Sequence, residues 1–264
     1  MKTKAAEAAR WLLAEHEARR RFGPLPGALS PRTTDEAYAV QDAFVALRAH
    51  RLGGISGYKI ALSTPVMQQF VGVDTPQAGV ILESRVLRSP ARVRSADYVN
   101  LIVEFEIAVL AAEDLPAADA PFTRERVMQA VGAIMPALEL ADDRNADYAS
   151  LRANPLDLIA DNAWNEGVVL GQPVTDWRGI DLAAVRGAAD LNGRRVGEGR
   201  GADALGHPFE AMAWICNHLA GLGRGLLRGE FVITGSLIAT KTVKAGDRVE
   251  FALEGLGGVE LSVE

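Results

Sequence analysis

VEFEIAVL, residues 103–110, alternates acidic and apolar side chains within a run that is otherwise apolar. On a β-strand, residues i and i+2 face the same side, so Glu104 and Glu106 project together and their apolar neighbours face the core. Two adjacent carboxylates in a semi-buried place repel each other and are costly to desolvate. Such a pair takes up a proton or a cation, and hard divalent cations prefer oxygen ligands. The alternative interpretation is a solvated edge strand, in which alternating glutamates are common.

A third acidic residue strengthens the cation hypothesis. Glu139 lies in PALELADDR, residues 136–144, just after a proline at a predicted change from helix to strand. Three carboxylates could hold one ion and leave positions open for substrate and water. From the residues alone, the solvated-strand interpretation stays open.

The composition sets outer bounds on the class of protein. The chain has 264 residues, of which 48% are hydrophobic and 23% charged, which allows a sizeable core in one large domain or in a large domain with a smaller attachment. The net charge of −6 and the lack of a long Lys/Arg run argue against nucleic acid or an anionic membrane as the main partner. Cys216 is the only cysteine, which excludes an internal disulfide framework and predicts a cytoplasmic location. The N-terminal segment predicts neither a signal peptide nor a membrane span.

Hydrophobic spacing predicts an α+β fold with a large mixed or antiparallel core, because the order of elements lacks a regular βαβα rhythm. The predicted helices cover 3–21, 33–51, a segment of 122–140 that ends at Pro136, and 207–226. Short strands are predicted between 58 and 109, at 166–174 and at 184–197, followed by a C-terminal hairpin over 249–263.

An ordered set of short motifs resembles the family of 2-keto-4-pentenoate hydratases and 4-oxalocrotonate decarboxylases, which are relatives of the fumarylacetoacetate hydrolase superfamily. The resemblance runs from about residue 30 to the end. The motifs are GYKIALST (57–64), GVDTPQAGVI (72–81), VEFEIAVL (103–110), PALELADDR (136–144), IADN (159–162), VVLG (168–171), LNGRRVGEG (191–199), LGHPFEAMAWICNHLAGLGRGLLRGEFVITGS (205–236) and VKAGDRVEF (243–251).

The resemblance implies a fold, a domain organisation and a cofactor. The expected fold is a fumarylacetoacetate-hydrolase-like mixed β-sheet roll with flanking helices, divided into an N-terminal helical part, 1–55, and a catalytic hydratase-like domain, 56–264. Carried over from the family, Glu104, Glu106 and Glu139 are the ligands of one Mg²⁺ or Mn²⁺.

The resemblance also implies the remaining site residues. Lys59 and Asp161 are expected to be catalytic, and the substrate-binding residues are expected to be Gln77, Asn162, Trp164, Thr234, Gly235 and Ser236. Asp142 and Arg144 match an element that could orient Glu139. Plainer interpretations stay open for four of these features. Lys59 could be a snorkelling surface lysine, ADN an ordinary turn, TGS a β-turn, and Asp142 with Arg144 a surface ion pair.

Two residues depart from the family pattern. Gln77 stands where many members have an acidic residue and cannot act as a base. Many members follow ADN with a small residue and serine, whereas here Ala163 is followed by Trp164, which could narrow the pocket. The resemblance implies that metal binding survives both changes, whereas the addition of water at the distal carbon of the substrate needs polar groups that these two residues do not supply.

The resemblance implies a metal-dependent lyase, a hydratase of a small 2-hydroxy-dienoate or 2-oxo-enoate in aromatic or related catabolism, working through a metal-chelated enolate. The alternatives are a 4-oxalocrotonate-type decarboxylase, which shares that enolate, an acylpyruvate C–C hydrolase, and a non-catalytic metabolite-binding homologue. A homo-oligomer is expected, and a partner enzyme of the decarboxylase/hydratase kind is an open alternative.

Overall fold

The computed structural model describes residues 2–264, and helices and strands follow one another over this range. The helices are α1 (Lys2–Glu17), α2 (Thr34–Leu52), α3 (Pro65–Val71), α4 (Arg124–Gln129), α5 (Tyr148–Leu151), α6 (Pro155–Ala160) and α7 (Pro208–Gly221). The strands are β1 (Ile55–Ala61), β2 (Gln77–Leu82), β3 (Val86–Arg88), β4 (Ala91–Val93), β5 (Leu101–Ala111), β6 (Val131–Asp142), β7 (Asn165–Leu170), β8 (Arg186–Leu191), β9 (Arg194–Arg200), β10 (Phe231–Ile233), β11 (Lys241–Thr242), β12 (Arg248–Leu253) and β13 (Gly257–Val263). Over this range, no helix combines the length and the apolar character that crossing a bilayer requires.

Two mixed sheets form the body of the protein. The larger sheet has the order β2-β1-β10-β5-β6-β7-β3, with β11 paired to the far end of β5. The smaller sheet has the order β4-β13-β12-β8-β9. Apolar side chains of both sheets and of α7 share one core, in which the rings of Phe105 and Phe251 meet edge to face at 5.6 Å. This arrangement confirms the predicted α+β roll with flanking helices.

The N-terminal helices form a layer of their own. α1 and α2 pack through a small apolar cluster that includes Leu12, Phe44 and Ala160 of α6. Thr33 caps α2, because its hydroxyl accepts a hydrogen bond from the backbone N–H of Glu36. The helices predicted over 3–21 and 33–51 are therefore present, the first of them shorter than expected.

The prediction for residues 122–140 was wrong in part. The helix there is the short α4, and the chain is already extended from Val131 onward as β6, five residues before Pro136. β6 lies between β5 and β7 in the middle of the larger sheet and is buried along nearly its whole length. A strand buried on both faces carries a continuous apolar run, which hydrophobic spacing cannot distinguish from a buried helix.

Two hairpins supply four of the five strands of the smaller sheet, and β4 lies at its edge beside β13. The predicted C-terminal hairpin is present as β12 and β13, with Val249 opposite Leu261. The single strand predicted over 184–197 is a hairpin, β8 and β9, and its turn consists of Asn192 and Gly193 with φ of 54° and 75°. Two left-handed residues in an Asn-Gly pair are typical of the tight turn that matches strand twist.

Candidate metal centre

Register on the two central strands brings the three predicted ligands together. Glu104 on β5 lies directly opposite Glu139 on β6, and Glu106 lies one pleat further along the same face of β5. The intervening Phe105 points into the core on the opposite face. One carboxylate oxygen from each glutamate lies within 4.8 Å of the others. The alternation in VEFEIAVL thus produces a carboxylate cluster in a central strand, where the alternative interpretation required a solvated edge.

Each carboxylate is held by a different neighbour. The backbone N–H of Gly235 donates to Glu106 Oε2 at 2.6 Å, and the hydroxyl of Thr240 donates to Glu104 Oε1 at 3.0 Å. The amide of Asn165 donates to Glu139 Oε1 at 2.8 Å. These contacts fix the three side chains in orientations that leave their remaining oxygens facing one another.

The cluster is electrostatically unfavourable without a cation. Glu106 and Glu139 are fully buried, and Glu104 is half-buried. Burial, followed by the charges of Glu139 and Glu104, raises the pKa of Glu106 well above its ordinary value. Burial also raises the pKa of Glu139, although the nearby ammonium of Lys59 acts against this rise.

The donor set fits a divalent cation. Glu106 Oε1 and Glu139 Oε2 are buried and have no hydrogen-bond partner anywhere in the described chain. Three carboxylates and the Lys59 ammonium sum to −3 + 1 = −2, which one doubly charged ion neutralises. Oxygen ligands in this number suit Mg²⁺ or Mn²⁺ and leave coordination positions open.

Lys59 reaches the cluster from β1. Its Nζ lies 3.3 Å from Glu139 Oε1 and donates to the backbone carbonyl of Ala163 at 3.4 Å. Burial would lower the pKa of this lysine, but the three carboxylates outweigh it and raise the pKa above its ordinary value. Only 3% of the residue is exposed, so the snorkelling interpretation does not describe it.

A cavity of about 420 Å³ opens beside these charged groups. Lys59, Glu104, Trp164 and Ser236 line it together with the apolar side chains of Leu62, Met67, Ile102, Leu158 and Ile238. Ser63, Thr64, Tyr148 and Thr240, which carry hydroxyl groups, also line it, as does Asp203. A mostly apolar lining with a few charged and polar side chains is typical of a site for a small organic molecule.

Four of the predicted substrate-binding residues support the site without lining the cavity. Gln77 is buried and its amide donates to the carbonyl of Pro155. Asn162 binds both backbone groups of Val80, and the Thr234 hydroxyl donates to Ile107 O. Gly235 has a φ of 100° and a Cβ there would lie 2.4 Å from Ser63 Oγ, so only glycine lets its N–H reach Glu106.

The carboxylate of Asp161, predicted to be catalytic, points away from the cavity. It accepts hydrogen bonds from His16 Nε2, at 2.5 Å, and from the guanidinium of Arg144. Burial opposes ionisation, but these two cations hold the pKa of Asp161 below its ordinary value. Arg144 therefore contacts Asp161 rather than Glu139, and Asp142 accepts from the backbone N–H groups of Val99 and Asn100.

Some functional contacts gave no signal of their own in the sequence. Asn165 orients Glu139 from the first position of the neighbouring strand β7, and Thr240 orients Glu104 from a loop far along the chain. His16 reaches Asp161 across 145 positions. Ser63 and Thr64 could have been suspected, because they follow Lys59 within the motif GYKIALST.

The fold and the site together define a class: an α+β roll whose central strands hold a carboxylate trio that fits a divalent cation, beside a cavity. Residues 59–264 match the sequence pattern of the family described as Fumarylacetoacetate (FAA) hydrolase C-terminal. The chain belongs to the fumarylacetoacetate hydrolase family, among its 2-keto-4-pentenoate hydratases and related decarboxylases.

Individual relatives match over almost the whole chain. A 2-keto-4-pentenoate hydratase of Paraburkholderia xenovorans (strain LB400) is 32% identical over 258 residues, which cover 98% of this chain and 94% of the relative. A 2-hydroxyhexa-2,4-dienoate hydratase of Comamonas testosteroni is 31% identical, covering 90% of this chain and 89% of that one. The solved structure of 4-oxalocrotonate decarboxylase from Pseudomonas putida G7, complexed with magnesium and adipate, superposes with a TM-score of 0.91 at 24% identity over 100% of this chain and 98% of the other.

Proposed function

We propose that the protein is a divalent-metal-dependent hydratase of a small 2-hydroxy-dienoate or 2-oxo-enoate. The observation that carries the proposal is the convergence of Glu104, Glu106 and Glu139 with buried Lys59 beside the 420 Å³ cavity, which Lys59 and Glu104 line. The relatives that match nearly full length at 31–32% identity carry the names of hydratases for such acids. The working cofactor is Mg²⁺ or Mn²⁺.

The three glutamates would hold the ion, which supplies Lewis-acid polarisation of a 2-oxo or 2-hydroxy oxygen. Lys59 is the one cationic side chain in the cavity lining, and its Nζ can hydrogen-bond an enol oxygen or the substrate carboxylate. It can also hold or deliver a proton along the conjugated chain. Trp164 and the apolar side chains that line the cavity would limit the access of bulk water to these groups.

The water that adds at the distal carbon needs polar partners, and Gln77 does not supply them. Ser63, Thr64 and Thr240 line the cavity, and we propose that their hydroxyl groups orient this water. On this proposal Asp161 takes no direct part in the reaction. Its carboxylate helps to position the segment that follows it in the chain.

The test is turnover of 2-hydroxypenta-2,4-dienoate, followed as loss of its ultraviolet absorbance. Metal-stripped protein should be inactive, and Mg²⁺ or Mn²⁺ should restore turnover. Glu139→Gln and Lys59→Met should each lower kcat by at least about 100-fold. Turnover that persists after chelation, or in Glu139→Gln, would contradict the proposal.

Decarboxylation of a 4-oxalocrotonate-type acid is the second candidate, favoured by the close superposition on a solved decarboxylase. An assay with an oxalocrotonate as substrate distinguishes the two reactions, because release of CO₂ would identify a carboxy-lyase. Hydrolysis of an acylpyruvate has less support, since no histidine borders the cavity to activate water. Binding of metal without turnover of any of these acids would identify a non-catalytic homologue.

We also propose a cytoplasmic location and a homo-oligomeric state. The buried, lone Cys216 is compatible with a cytoplasmic enzyme. A homo-oligomer, and docking with a second enzyme that supplies or consumes the unstable acid, are expectations that size-exclusion chromatography with light scattering would test.

A further inference from the structure

Three consecutive residues between α6 and β7 occupy the left-handed backbone region, and none of them is glycine. Their φ values are 53° at Asn162, 47° at Ala163 and 62° at Trp164. This region is costly for residues with a Cβ and rare for bulky ones. A run of such residues persists only where the surrounding contacts over-determine it, which is common at functional sites. We call residues 162–164 the left-handed turn.

The left-handed turn builds part of the site described above. The carbonyl of Ala163 accepts the hydrogen bond of Lys59, and Trp164 forms one wall of the cavity. The next residue, Asn165, orients Glu139. A shift of this turn would therefore move a partner of the lysine, change the shape of the cavity and displace the amide that orients Glu139, while the three glutamates stay on β5 and β6.

Two sets of contacts hold the left-handed turn. On one side Asn162 is bound through both polar atoms of its amide to the backbone of Val80. On the other side, Asp161 immediately precedes the left-handed turn, and its backbone carbonyl accepts a hydrogen bond from the N–H of Trp164 at 3.1 Å. The Asp161 side chain is buried between His16 and Arg144.

His16 contributes to these contacts from helix α1, which lies outside the two sheets. It lies in the last turn of α1, and its side chain is only 14% exposed. Nε2 contacts Asp161, and Nδ1 lies 3.4 Å from Glu166, which also pairs with Arg48 of α2 and with Arg85. Although burial opposes it, the carboxylate of Asp161 raises the pKa of His16 to about 9, so the ring carries a proton at neutral pH.

We propose that His16 is a positioning residue of the active site: through Asp161 it holds the left-handed turn against Lys59, so that helix α1 completes the site. The proposal rests on the hydratase function proposed above. It predicts that loss of His16 lowers the rate of catalysis because the left-handed turn is displaced, although no group that touches the substrate is removed.

The experiment compares His16→Ala and His16→Gln with Glu17→Gln in the full-length protein. Gln keeps an N–H that can donate to Asp161. Glu17→Gln is the matched control, because it removes the α1 ion pair with Arg51 one residue away on the protein surface. The readouts are kcat and KM on 2-hydroxypenta-2,4-dienoate with Mg²⁺, the Kd of Mn²⁺ by calorimetry, and hydrogen exchange of peptides that cover 160–166.

In His16→Ala we expect kcat to fall by about tenfold, since small misplacements of catalytic groups have effects of this size or larger. Exchange at 160–166 should accelerate by at least about tenfold, and the Kd of Mn²⁺ should change by less than about threefold, because Glu104 and Glu106 lie on β5. His16→Gln should recover most of both losses, and Glu17→Gln should match the native protein. Asp161→Asn combined with His16→Ala should be no worse than Asp161→Asn alone.

Native exchange at 160–166 in His16→Ala, or equal losses in His16→Ala and Glu17→Gln, would overturn the proposal. Should His16→Ala fail to fold, Asp161→Asn alone decides the question, because it removes the charge that His16 holds and should show the same loss of kcat and the same faster exchange at 160–166, and native values in Asp161→Asn would overturn the proposal. Should the native protein not turn over the dienoate, the proposed function fails, while the exchange comparison still decides whether His16 holds the turn.

Discussion

At Gly79 the side chain of Lys59 occupies the space that any other residue would need. A Cβ built there would lie 2.8 Å from Lys59 Cγ and 3.0 Å from the carbonyl oxygen of Asn162, both tighter than normal contact. Gly79 is the register partner of Lys59 across β1 and β2. The glycine therefore decides where the lysine stem runs, and with it where the ammonium meets Glu139.

Gly79→Ala should displace Lys59 without unfolding the protein. We expect kcat to fall by about 10- to 100-fold and stability to fall by about 1–3 kcal/mol, as for other overpacked positions. Steady-state kinetics and urea unfolding measure the two effects. Gly54→Ala is the control, because a Cβ at Gly54 meets nothing within 4 Å. Native kcat in Gly79→Ala would show that the position of the lysine stem does not matter.

Glu106 illustrates a conflict between stability and function in one side chain. Its buried charge repels two other carboxylates, which is why its pKa is raised. Glu106→Gln should therefore stabilise the metal-free protein by about 1 kcal/mol, or ~2–4 °C in Tm, while abolishing activity. The amide oxygen can still accept from Gly235 N. Thermal unfolding in chelator checks this, with the exposed Glu113→Gln as control; a lower Tm for Glu106→Gln would contradict it.

The sequence revealed those site residues that obey local patterns. Glu104 and Glu106 follow from strand alternation, and Glu139 and Lys59 from motif resemblance. His16, Asn165 and Thr240 could not be found this way, because each acts on a residue that only the folded chain brings near. The catalytic role expected of Asp161 from its motif stays a prediction, and the contact of its carboxylate with His16 of α1 is one that no local pattern records.

At the level of elements, strand β6 shows where hydrophobic spacing fails. Val127, Val131 and Ile134 recur at a helical interval, yet the helix ends at Gln129. Pairing with β5 and β7 overrides the local preference, since it satisfies the backbone and buries both faces at once. The same pairing sets Glu139 opposite Glu104, so the element that was predicted incorrectly is the one that completes the carboxylate cluster.

Docking of helix α1 should depend on pH through His16. Its pKa is about 9 in the folded protein against an ordinary 6.5, so its stabilisation is fully present below pH 6.5 and is lost as the pH rises through about 9. Shifts of this size correspond to about 3 kcal/mol. Asp161 has the opposite sign: its pKa is lowered, so its contribution is present above pH 3.8 and is lost as the pH falls below that value.

The difference in free energy of unfolding between the native protein and His16→Gln should therefore shrink between pH 6.5 and pH 10. Urea unfolding across this range measures it. His50→Gln, at an exposed position on α2, is the control and should show a constant difference. If the difference in free energy of unfolding between the native protein and His16→Gln is equally constant with pH, the ring is not charged in the folded state.

For the whole molecule, the metal centre connects parts of the chain that are far apart in sequence. Lys59 comes from β1, the glutamates from β5 and β6, and the backbone of Gly235 and the hydroxyl of Thr240 from the segment after β10. Without an ion, this junction contains two buried oxygens that lack partners. A bound cation would satisfy those oxygens and cancel the repulsion, so binding and global stability should be coupled.

Removal of metal should therefore lower the stability of the entire fold. An ion that binds only the folded protein stabilises it by about 2.7 kcal/mol at 100 times its Kd, which for a chain of this size corresponds to about 5–10 °C in Tm. Calorimetric scans in chelator and in saturating Mg²⁺ or Mn²⁺ measure the shift. Glu139→Gln should lose most of it, because the ion loses one carboxylate, whereas the exposed Glu113→Gln should retain all of it. An identical shift in Glu139→Gln would place the stabilising ion elsewhere, and no shift in the native protein would mean that the trio does not bind the ion under these conditions.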